Sequence, residues 1–200
     1  MREILIATKN PGKILEIREI FKLLDNSIQL VFLSELGIKG EPVEDESTFK
    51  DNAWKKVEFY SDFTNIPILA EDSGLEIDYL NGEPGVLSRR WPGHEMTDEE
   101  ALEIALTKME GVSWAKRGAQ FTVVMALKII GQDIMFAEGF IRGILTTEPK
   151  AKIIPGYPYR SIFYVPSLGK TLGELTMKEE ARVAHRKDAL LKLMPFLMNI

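Results

Sequence analysis

The feature that most limits the fold of this chain is an alternation of short apolar runs with amphipathic stretches. Residues 2–7 form a mostly apolar run, and after a turn Ile14 and Phe21 belong to a set of apolar positions at helical spacing. Asn10 suits the N-cap of this helix because its side chain can accept a free backbone N–H, and Pro11 suits the first helical position. The chain is therefore predicted to begin with a strand, a turn and a helix.

The same order of elements continues along the chain. A strand over residues 28–33 precedes an acidic loop, and a helix from about residue 49 to residue 63 can be capped by Ser47 or Thr48. Two strand-like runs separated by Ser73-Gly74 come next, followed by a Gly/Pro-rich loop over 81–93. The capping box Thr97 to Glu100 opens a third helix, and strands over 119–130 and 133–145 are joined at Gly131-Gln132. One final helix runs from the capping box Thr176 to Glu179 towards Pro195. Together these patterns predict a single α/β domain over residues 1–200, a mixed sheet flanked by helices, with two lobes that enclose a cleft.

The composition excludes several classes of protein. A net charge of -5 over 200 residues opposes broad electrostatic binding to nucleic acid, which needs clustered Lys and Arg. The sequence has no cysteine, so disulfides, zinc–thiolate sites and thiol nucleophiles are excluded. The apolar runs are far shorter than the roughly 20 residues that span a bilayer, and the N-terminus lacks the build of a signal peptide. We therefore expect a cytoplasmic protein with neither a nucleic-acid nor a membrane partner.

The turn over residues 8–13 (TKNPGK) is a candidate phosphate site. A helix that begins at Asn10 offers free N–H groups and a positive dipole end, and Lys13 adds a full charge. The turn is not a Walker A loop, which needs Gly in place of Ala7 and Ser or Thr in place of Ile14. Taken alone, the motif is better explained by a capped helix with one solvated lysine.

Two groups of carboxylates are candidate metal ligands. Glu71 and Asp72 follow an apolar run, at the kind of strand end where open α/β sheets collect ligands. Carboxylate oxygens suit Mg²⁺, which binds one or two of them together with substrate phosphates and water. The acidic loop offers a further ligand from among Glu41, Glu44, Asp45 and Glu46. Solvated surface acids are the alternative for both groups, and the presence of two histidines, His94 and His185, excludes a multi-histidine site.

Five segments in a fixed order carry a family resemblance. They are residues 8–13 (TKNPGK), 44–53 (EDESTFKDNA), 70–75 (AEDSGL), 85–91 (GVLSRRW) and 184–186 (AHR). The first is similar to an S/T-x-N-x-x-K opening and the last to a Ser-His-Arg motif. With this order across nearly the whole chain, the sequence resembles the inosine triphosphate pyrophosphatase family, also called the dITP/XTP pyrophosphatases.

The resemblance implies an elongated two-lobed homodimer that holds a purine nucleoside triphosphate with a 6-keto group in its cleft. Asp72 and Lys13 would be catalytic, with Asp72 orienting the attacking water, and Glu44 and Asp72 would hold Mg²⁺. His185 and Arg186 would read the base through donors aimed at O6. The residues implied to bind substrate are Thr8, Lys9, Asn10, Pro11, Gly12, Lys13, Lys56, Ser73, Tyr157, Pro158, Tyr159, Arg160, Glu180, His185 and Arg186.

The segment over residues 156–161 (GYPYRS) departs from the Gly-Phe-Gly-Tyr-Asp-Pro of the family. Arg160 stands where the family has Asp, and Glu180 aligns with a usual Lys. Because the two changes invert charge in opposite senses, we expect Arg160 and Glu180 to form a swapped ion pair near the base edge. A misaligned loop and a solvated Glu180 are an equal alternative. The changed segment also leaves open a related pyrophosphatase of modified pyrimidine nucleotides, and the non-enzymatic alternative is a nucleotide-binding regulator.

Overall fold

The computed structural model describes residues 2–199 and contains seven strands and five α-helices within that range. The strands are β1 (Arg2–Ile6), β2 (Ile28–Phe32), β3 (Ile68–Ile77), β4 (Gly118–Lys128), β5 (Met135–Leu145), β6 (Phe163–Val165) and β7 (Lys170–Thr171). The helices are α1 (Pro11–Leu24), α2 (Phe49–Ser61), α3 (Asp98–Lys108), α4 (Met177–Glu180) and α5 (His185–Leu197). The predicted mixed α/β sheet flanked by helices is confirmed.

All seven strands belong to one mixed sheet in the order β2-β1-β3-β4-β5-β6-β7. β1 pairs in parallel with both β2 and β3, and all later pairs are antiparallel. The predicted hairpin of two long strands is β4 and β5, which remain paired up to Leu127 and Met135. β1 stops pairing at Ile6, opposite Leu69, while β3 continues for eight more residues to Ile77. The β1 side of β3 therefore has an open stretch beyond Leu69.

Helices cover both faces of the sheet because side chains alternate along each strand. On β1, Ile4 and Ile6 pack into one apolar cluster with residues of α1 and α5, while Leu5 packs into a second cluster with residues of α2. A third cluster joins the far ends of β3, β4 and β5 to α3 and β6. α5 lies close to β5 at Gly139, where an added Cβ would overlap the backbone oxygen of His185. The backbone at the start of α5 thus lies in direct contact with the sheet.

Two sequence-based boundaries were wrong. β3 is one continuous strand of ten residues, because Ser73 and Gly74 pair with Val123 and Thr122 of the long neighbour β4 instead of forming a turn. Gly74 is needed in this strand because a Cβ there would lie 2.5 Å from Ser88 Oγ. Asp72 consequently lies in the middle of β3 and not at its end, although it stands at the carboxyl end of the neighbouring β1.

The predicted final helix is two helices, α4 and α5. Thr176 and Glu179 form the expected capping box, but the helix ends at Glu180, and Ala184 has extended backbone angles before α5 begins. In a continuous helix, Glu180 and Arg186 would be separated by about 120° around the axis at 100° per residue. The break allows both side chains to reach the same cavity.

None of the helices within residues 2–199 is long and apolar enough to cross a membrane.

Candidate active site

A cavity of about 630 Å³ lies where β1 ends beside the middle of β3. Its walls come from the turn after β1, the acidic loop, α2, β3, the segment over residues 86–95, the loop over residues 156–160 and the start of α5. Because, within residues 2–199, no strand pairs with this side of β3 beyond Leu69, residues on both faces of β3 reach the cavity. Asp72 points towards α2, whereas Glu71 and Ser73 point towards α5.

The turn after β1 is held by its own side chains. Asn10 caps α1 by accepting the backbone N–H groups of Gly12 and Lys13, at 2.9 and 3.2 Å, as predicted for the N-cap. Its own N–H donates to Thr8 Oγ1, and its amide donates to Gly156 O at 3.1 Å. The expectation that this helix start offers free N–H groups at Gly12 and Lys13 is therefore wrong, because the cap already uses both donors. Positive charge in this wall comes from lysine side chains.

The acidic loop is attached to two walls of the cavity. Lys9 donates to Lys39 O at 2.7 Å and pairs with Glu41 at 2.7 Å. From the opposite wall, the guanidinium of Arg90 donates to the backbone oxygen of Glu44. These contacts place the side chain of Glu44 over the cavity, where it is 39% exposed.

Lys56 links the two predicted metal ligands. Its ammonium lies 2.7 Å from Glu44 Oε2 and 3.9 Å from Asp72 Oδ1, and it donates to Glu71 O at 2.9 Å. Burial raises the pKa of Asp72 and nearby Glu44 adds to the rise, while Lys56 and Lys13 oppose it. Burial would also raise the pKa of Glu44, but Lys56, Lys13 and Arg90 together lower it. Two carboxylates thus converge on one cation.

Asn52 is a site residue that the sequence analysis missed. It is buried on α2, donates from its amide to Asp72 Oδ2 at 2.9 Å and accepts from the N–H of Glu46 at 3.1 Å. It therefore fixes Asp72 and the acidic loop to each other. The sequence contained one signal for it: Asn52 and Lys56 are four residues apart on a helix and so share a face.

Arg186 is the centre of a buried charge network. Its guanidinium donates to Glu71 Oε2 at 2.8 Å, to Glu16 Oε2 at 2.9 Å and to Ser73 Oγ at 2.8 Å. Lys13 lies 3.1 Å from the other oxygen of Glu71. Burial would raise the pKa of Glu71, but Arg186 and Lys13 lower it to about 2. Glu71 is therefore ionised and holds Lys13 and Arg186 in place.

Tyr157 closes the cavity above α1. Its hydroxyl donates to Glu16, and burial raises its pKa well above the ordinary value. Its ring lies over Gly12, where an added Cβ would come within 2.6 Å of two ring carbons. The guanidinium carbons of Arg160 and Arg186 lie 5.4 and 5.7 Å from the ring centre. Gly12 thus makes room for the ring and does not itself line the cavity.

Arg160 and Glu180 form the ion pair expected from their inverted charges. Arg160 Nε donates to Glu180 Oε1 at 3.1 Å, and Arg160 Nη2 contacts Glu180 Oε2. Both side chains are buried and both line the cavity. Burial and the neighbouring charge of Glu16 raise the pKa of Glu180 to about 8, against the effect of Arg160 and Arg186.

His185 begins α5 and is buried. Its ring stacks on Phe121 with centres 5.7 Å apart, and its Nε2 accepts from Arg186 Nη1 at 3.3 Å. Burial and the charge of Arg186 lower the pKa of His185 well below its ordinary value. The ring is therefore neutral, and because Nε2 accepts, its proton is on Nδ1.

The structure brings nearly all of the sequence-predicted site residues to one cavity. Those that line it are Thr8, Lys9, Asn10, Pro11, Lys13, Glu44, Lys56, Asp72, Ser73, Tyr157, Pro158, Tyr159, Arg160, Glu180, His185 and Arg186. Tyr159 does so while its hydroxyl donates to Ser88 O at 2.9 Å. Asn52, Glu16 and Arg90 were not predicted as site residues, because their contacts depend on chain segments far apart in sequence.

A divalent metal fits the donors at one end of the cavity. Within residues 2–199 there is no group of three or more carboxylate or histidine side chains with metal-binding spacing. Glu44 and Asp72 nevertheless present hard oxygen ligands around one cation, Lys56. Mg²⁺ commonly binds only one or two carboxylates and takes its other ligands from phosphate and water. Glu71 is less suited to this role, because Arg186 and Lys13 occupy its oxygens.

Comparison with known proteins gives one consistent result. The sequence model of the Ham1 family matches residues 4–196. The chain is 37% identical over 197 residues to the dITP/XTP pyrophosphatase of Bacillus subtilis, covering 98% of each chain. Among solved structures, the Ham1 protein of Staphylococcus aureus has a TM-score of 0.81 at 33% identity and 99% coverage of both chains. A Ham1 protein from Coxiella burnetii has a TM-score of 0.82 at 35% identity and 100% coverage of both chains. The chain belongs to the Ham1 family.

Proposed function

We propose that this chain is a nucleoside triphosphate pyrophosphatase that hydrolyses ITP, dITP and XTP to the monophosphate and pyrophosphate. The observation that carries the proposal is one cavity with two chemically different ends. Lys13, Lys56, Glu44 and Asp72 lie at one end, and an aromatic ring with buried polar groups lies at the other. A relative with 37% identity over the full length is a dITP/XTP pyrophosphatase.

The charged end suits the polyphosphate and the attack on it. Lys13 and Lys56 are held by Glu71 and supply positive charge for the pyrophosphate leaving group. Asp72 is fixed through Asn52 and orients the water that attacks the α-phosphorus. A positioned carboxylate of this kind lowers the barrier by fixing the direction of attack.

We assign Glu44 and Asp72 as the side chains that hold Mg²⁺. The metal, when bound, neutralises charge on the phosphate oxygens. Lys56 lies beside both carboxylates and donates to the backbone oxygen of Glu71, and its charge favours the ionised form of each carboxylate. Turnover should cease after treatment with EDTA and return when Mg²⁺ is added.

The aromatic end suits a purine. Tyr157 offers its ring as one wall, and the neutral His185, which also lines the cavity, stacks on Phe121. A site that leaves buried polar groups unpaired against the wrong base can discriminate by about 10⁴-fold or more. We propose that a 6-keto purine is the base that pairs with these groups.

The test is a panel of nucleotides with separate detection of phosphate and pyrophosphate. ITP, dITP and XTP should each release pyrophosphate, and ATP should release far less. Release of orthophosphate in place of pyrophosphate would contradict cleavage between the α- and β-phosphates. Preferential release from modified UTP would identify the pyrimidine alternative, and binding of ITP without turnover would identify a regulator.

The variant Asp72→Asn tests the water-orienting role, with Asp78→Asn as a matched control. Asp78 is an exposed residue that pairs with Arg142 outside the cavity. Asp72→Asn should abolish turnover, and Asp78→Asn should leave it unchanged. Full activity of Asp72→Asn would show that another group orients the water.

We also propose a homodimer in the cytoplasm, on the family resemblance and the absence of cysteine from the sequence. Light scattering at several protein concentrations tests the assembly, and a mass of one chain throughout would contradict it.

A further inference from the structure

The backbone of Gly156 connects two distant parts of the fold. Its N–H donates to Asp98 Oδ2 at 2.8 Å, and its carbonyl oxygen accepts from the side-chain amide of Asn10 at 3.1 Å. Asp98 is the first residue of α3, and Asn10 is the N-cap of α1. A single residue is thus hydrogen-bonded on one side to α3 and on the other side to the turn that carries Lys13.

The contact between Gly156 and Asn10 requires glycine. The φ of Gly156 is +85°, in the left-handed region that other residues rarely adopt. An added Cβ would lie 2.4 Å from Asn10 Oδ1, the atom that accepts the N–H groups of Gly12 and Lys13. The turn and Gly156 are therefore in direct contact, and a shift of one displaces the other.

Asp98 is held in place by a cation. Its Oδ1 pairs with Arg89 Nη1, and Arg89 Nη2 donates to Met96 O at 3.1 Å. The side chain of Asp98 is 15% exposed, whereas that of Arg89 is 40% exposed. A hydrogen bond from a backbone N–H to a carboxylate is roughly twice as strong as one between neutral groups. Each oxygen of Asp98 thus has one partner, and the stronger constraint on Gly156 comes from α3.

Asp98 lies behind the cavity wall. The residues that line the cavity within the described part of the chain include Arg89, Gly156 and Tyr157, but not Asp98. Asp98 therefore acts on a ligand through Gly156 and not by contact. The ring of Tyr157, one residue after Gly156, forms the aromatic wall.

The residues after Gly156 have anchors of their own. The hydroxyl of Tyr157 donates to Glu16, and the hydroxyl of Tyr159 donates to Ser88 O at 2.9 Å. Removal of the Asp98 carboxylate leaves both anchors in place. The expected result is a shift of the aromatic wall, not unfolding of the domain.

We propose that Asp98 is a positioning residue that fixes the aromatic wall at a set distance from the turn that carries Lys13. This inference rests on the proposed function, because it takes a purine nucleotide as the occupant, and it deepens that function by naming a residue outside the cavity. A nucleotide contacts both ends of the cavity at once, so the distance between the ends must match the ligand. A displacement of about 1 Å far from the chemistry can cost about 100-fold in rate.

The test measures the binding of the two products, IMP and pyrophosphate, by calorimetry. IMP has a base and a phosphate, so it spans the two ends, whereas pyrophosphate has no base and occupies only the charged end. Asp98→Ser suits the start of a helix but is too short to reach the N–H of Gly156. It should raise the Kd of IMP by about 10-fold or more, the scale of a hydrogen bond to a charged group. The Kd of pyrophosphate should not change.

Two further variants separate positioning from a loss of charge. Glu99→Ser removes a negative charge from the same helical turn at an exposed position, and it should leave both dissociation constants unchanged. Asp98→Asn keeps an oxygen that can accept the N–H of Gly156, and the half-exposed Arg89 can turn towards solvent. Asp98→Asn should therefore recover most of the affinity for IMP.

The outcomes distinguish this inference from the proposed function. If wild-type protein binds IMP but releases no pyrophosphate from ITP, the proposed function fails, and the two dissociation constants still decide the role of Asp98. Equal weakening of IMP and pyrophosphate in Asp98→Ser would show that Asp98 supports the whole fold, and so would loss of the folded state in circular dichroism. Either result would overturn the inference. Asp98→Asn binding IMP as weakly as Asp98→Ser would also overturn it, because the hydrogen bond to Gly156 would then not be the cause.

Discussion

Replacing Arg186 by Met should strongly destabilise the fold. The side chain is 4% exposed and donates to two buried carboxylates, Glu16 at 2.9 Å and Glu71 at 2.8 Å. Met fills a similar volume but leaves these carboxylates without their cation. Breaking a buried ion pair by removing one partner lowers the free energy of unfolding by about 3–5 kcal/mol. For a domain of this size each kcal/mol corresponds to about 2–4 °C, so the melting temperature should fall by roughly 6–20 °C.

Urea denaturation followed by circular dichroism measures this change. Arg186→Lys is the informative comparison, since Lys keeps the charge but cannot donate in two directions from a planar fork. It should lose less stability than Arg186→Met. The matched control is Arg182→Met, at an exposed position four residues earlier, which should change stability by less than about 0.5 kcal/mol.

A double-mutant cycle with Glu16→Gln identifies the origin of the effect. If the charge network is responsible, Arg186→Met should be less destabilising in the Glu16→Gln background, with a coupling energy of about 0.5–3 kcal/mol. A loss of under 1 kcal/mol for Arg186→Met in the wild-type background would refute the reasoning, because it would mean that Glu16 and Glu71 do not depend on Arg186.

Three further predictions follow from single contacts. Asn52→Ala should reduce kcat by about 10- to 100-fold, the usual effect of losing a residue that orients a ligating side chain. The reason is that Asp72 loses its hydrogen-bond donor at 2.9 Å. An unchanged kcat in steady-state kinetics with ITP would contradict this prediction. Gly139→Ala should destabilise the protein, since the new Cβ overlaps the backbone oxygen of His185, and a melting temperature at or above that of wild type would rule out this overlap. The raised pKa of Glu180 means that the folded state keeps this proton while the unfolded state releases it. Stability should therefore fall as pH rises from about 4.5 to about 8 and then level off, and Glu180→Gln should lack this component in denaturation curves measured across the range.

Local chemistry made several features predictable from sequence. The cap at Asn10, the proline at the first helical position and the capping box at Thr176 each involve atoms only two or three residues apart, and all three are confirmed. The hairpin of β4 and β5 followed from two long apolar runs joined at a glycine. The Arg160–Glu180 pair was predictable for a different reason. Two opposite charge changes in a buried place are tolerated when they occur together.

Features that depend on distant neighbours were not predictable from the sequence. The Ser73-Gly74 dipeptide is typical of a turn. It pairs with β4 instead, so β3 continues along the cavity wall without a turn. The N–H groups of Gly12 and Lys13 were expected to be free, and only the structure shows that Asn10 uses both. The break between α4 and α5 has no strong local signal, since neither proline nor glycine lies within it.

The sequence by itself determined the alternation of strands and helices from β1 to β5, the family and the types of side chain available for chemistry, because each of these is recorded in short segments. The tertiary structure decided which of those side chains pair within the protein and which remain available to a ligand. Of two adjacent carboxylates on β3, Asp72 faces α2 and remains available to a metal, whereas Glu71 faces α5 and forms ion pairs with Arg186 and Lys13. Of the two buried arginines that line the cavity, Arg186 donates to Glu16, Glu71, Ser73 and His185, whereas Arg160 Nη1 has no hydrogen-bond partner among residues 2–199. The reason is geometric: alternation along a strand gives neighbouring residues opposite surroundings, and only the packed helices determine which charges those surroundings contain.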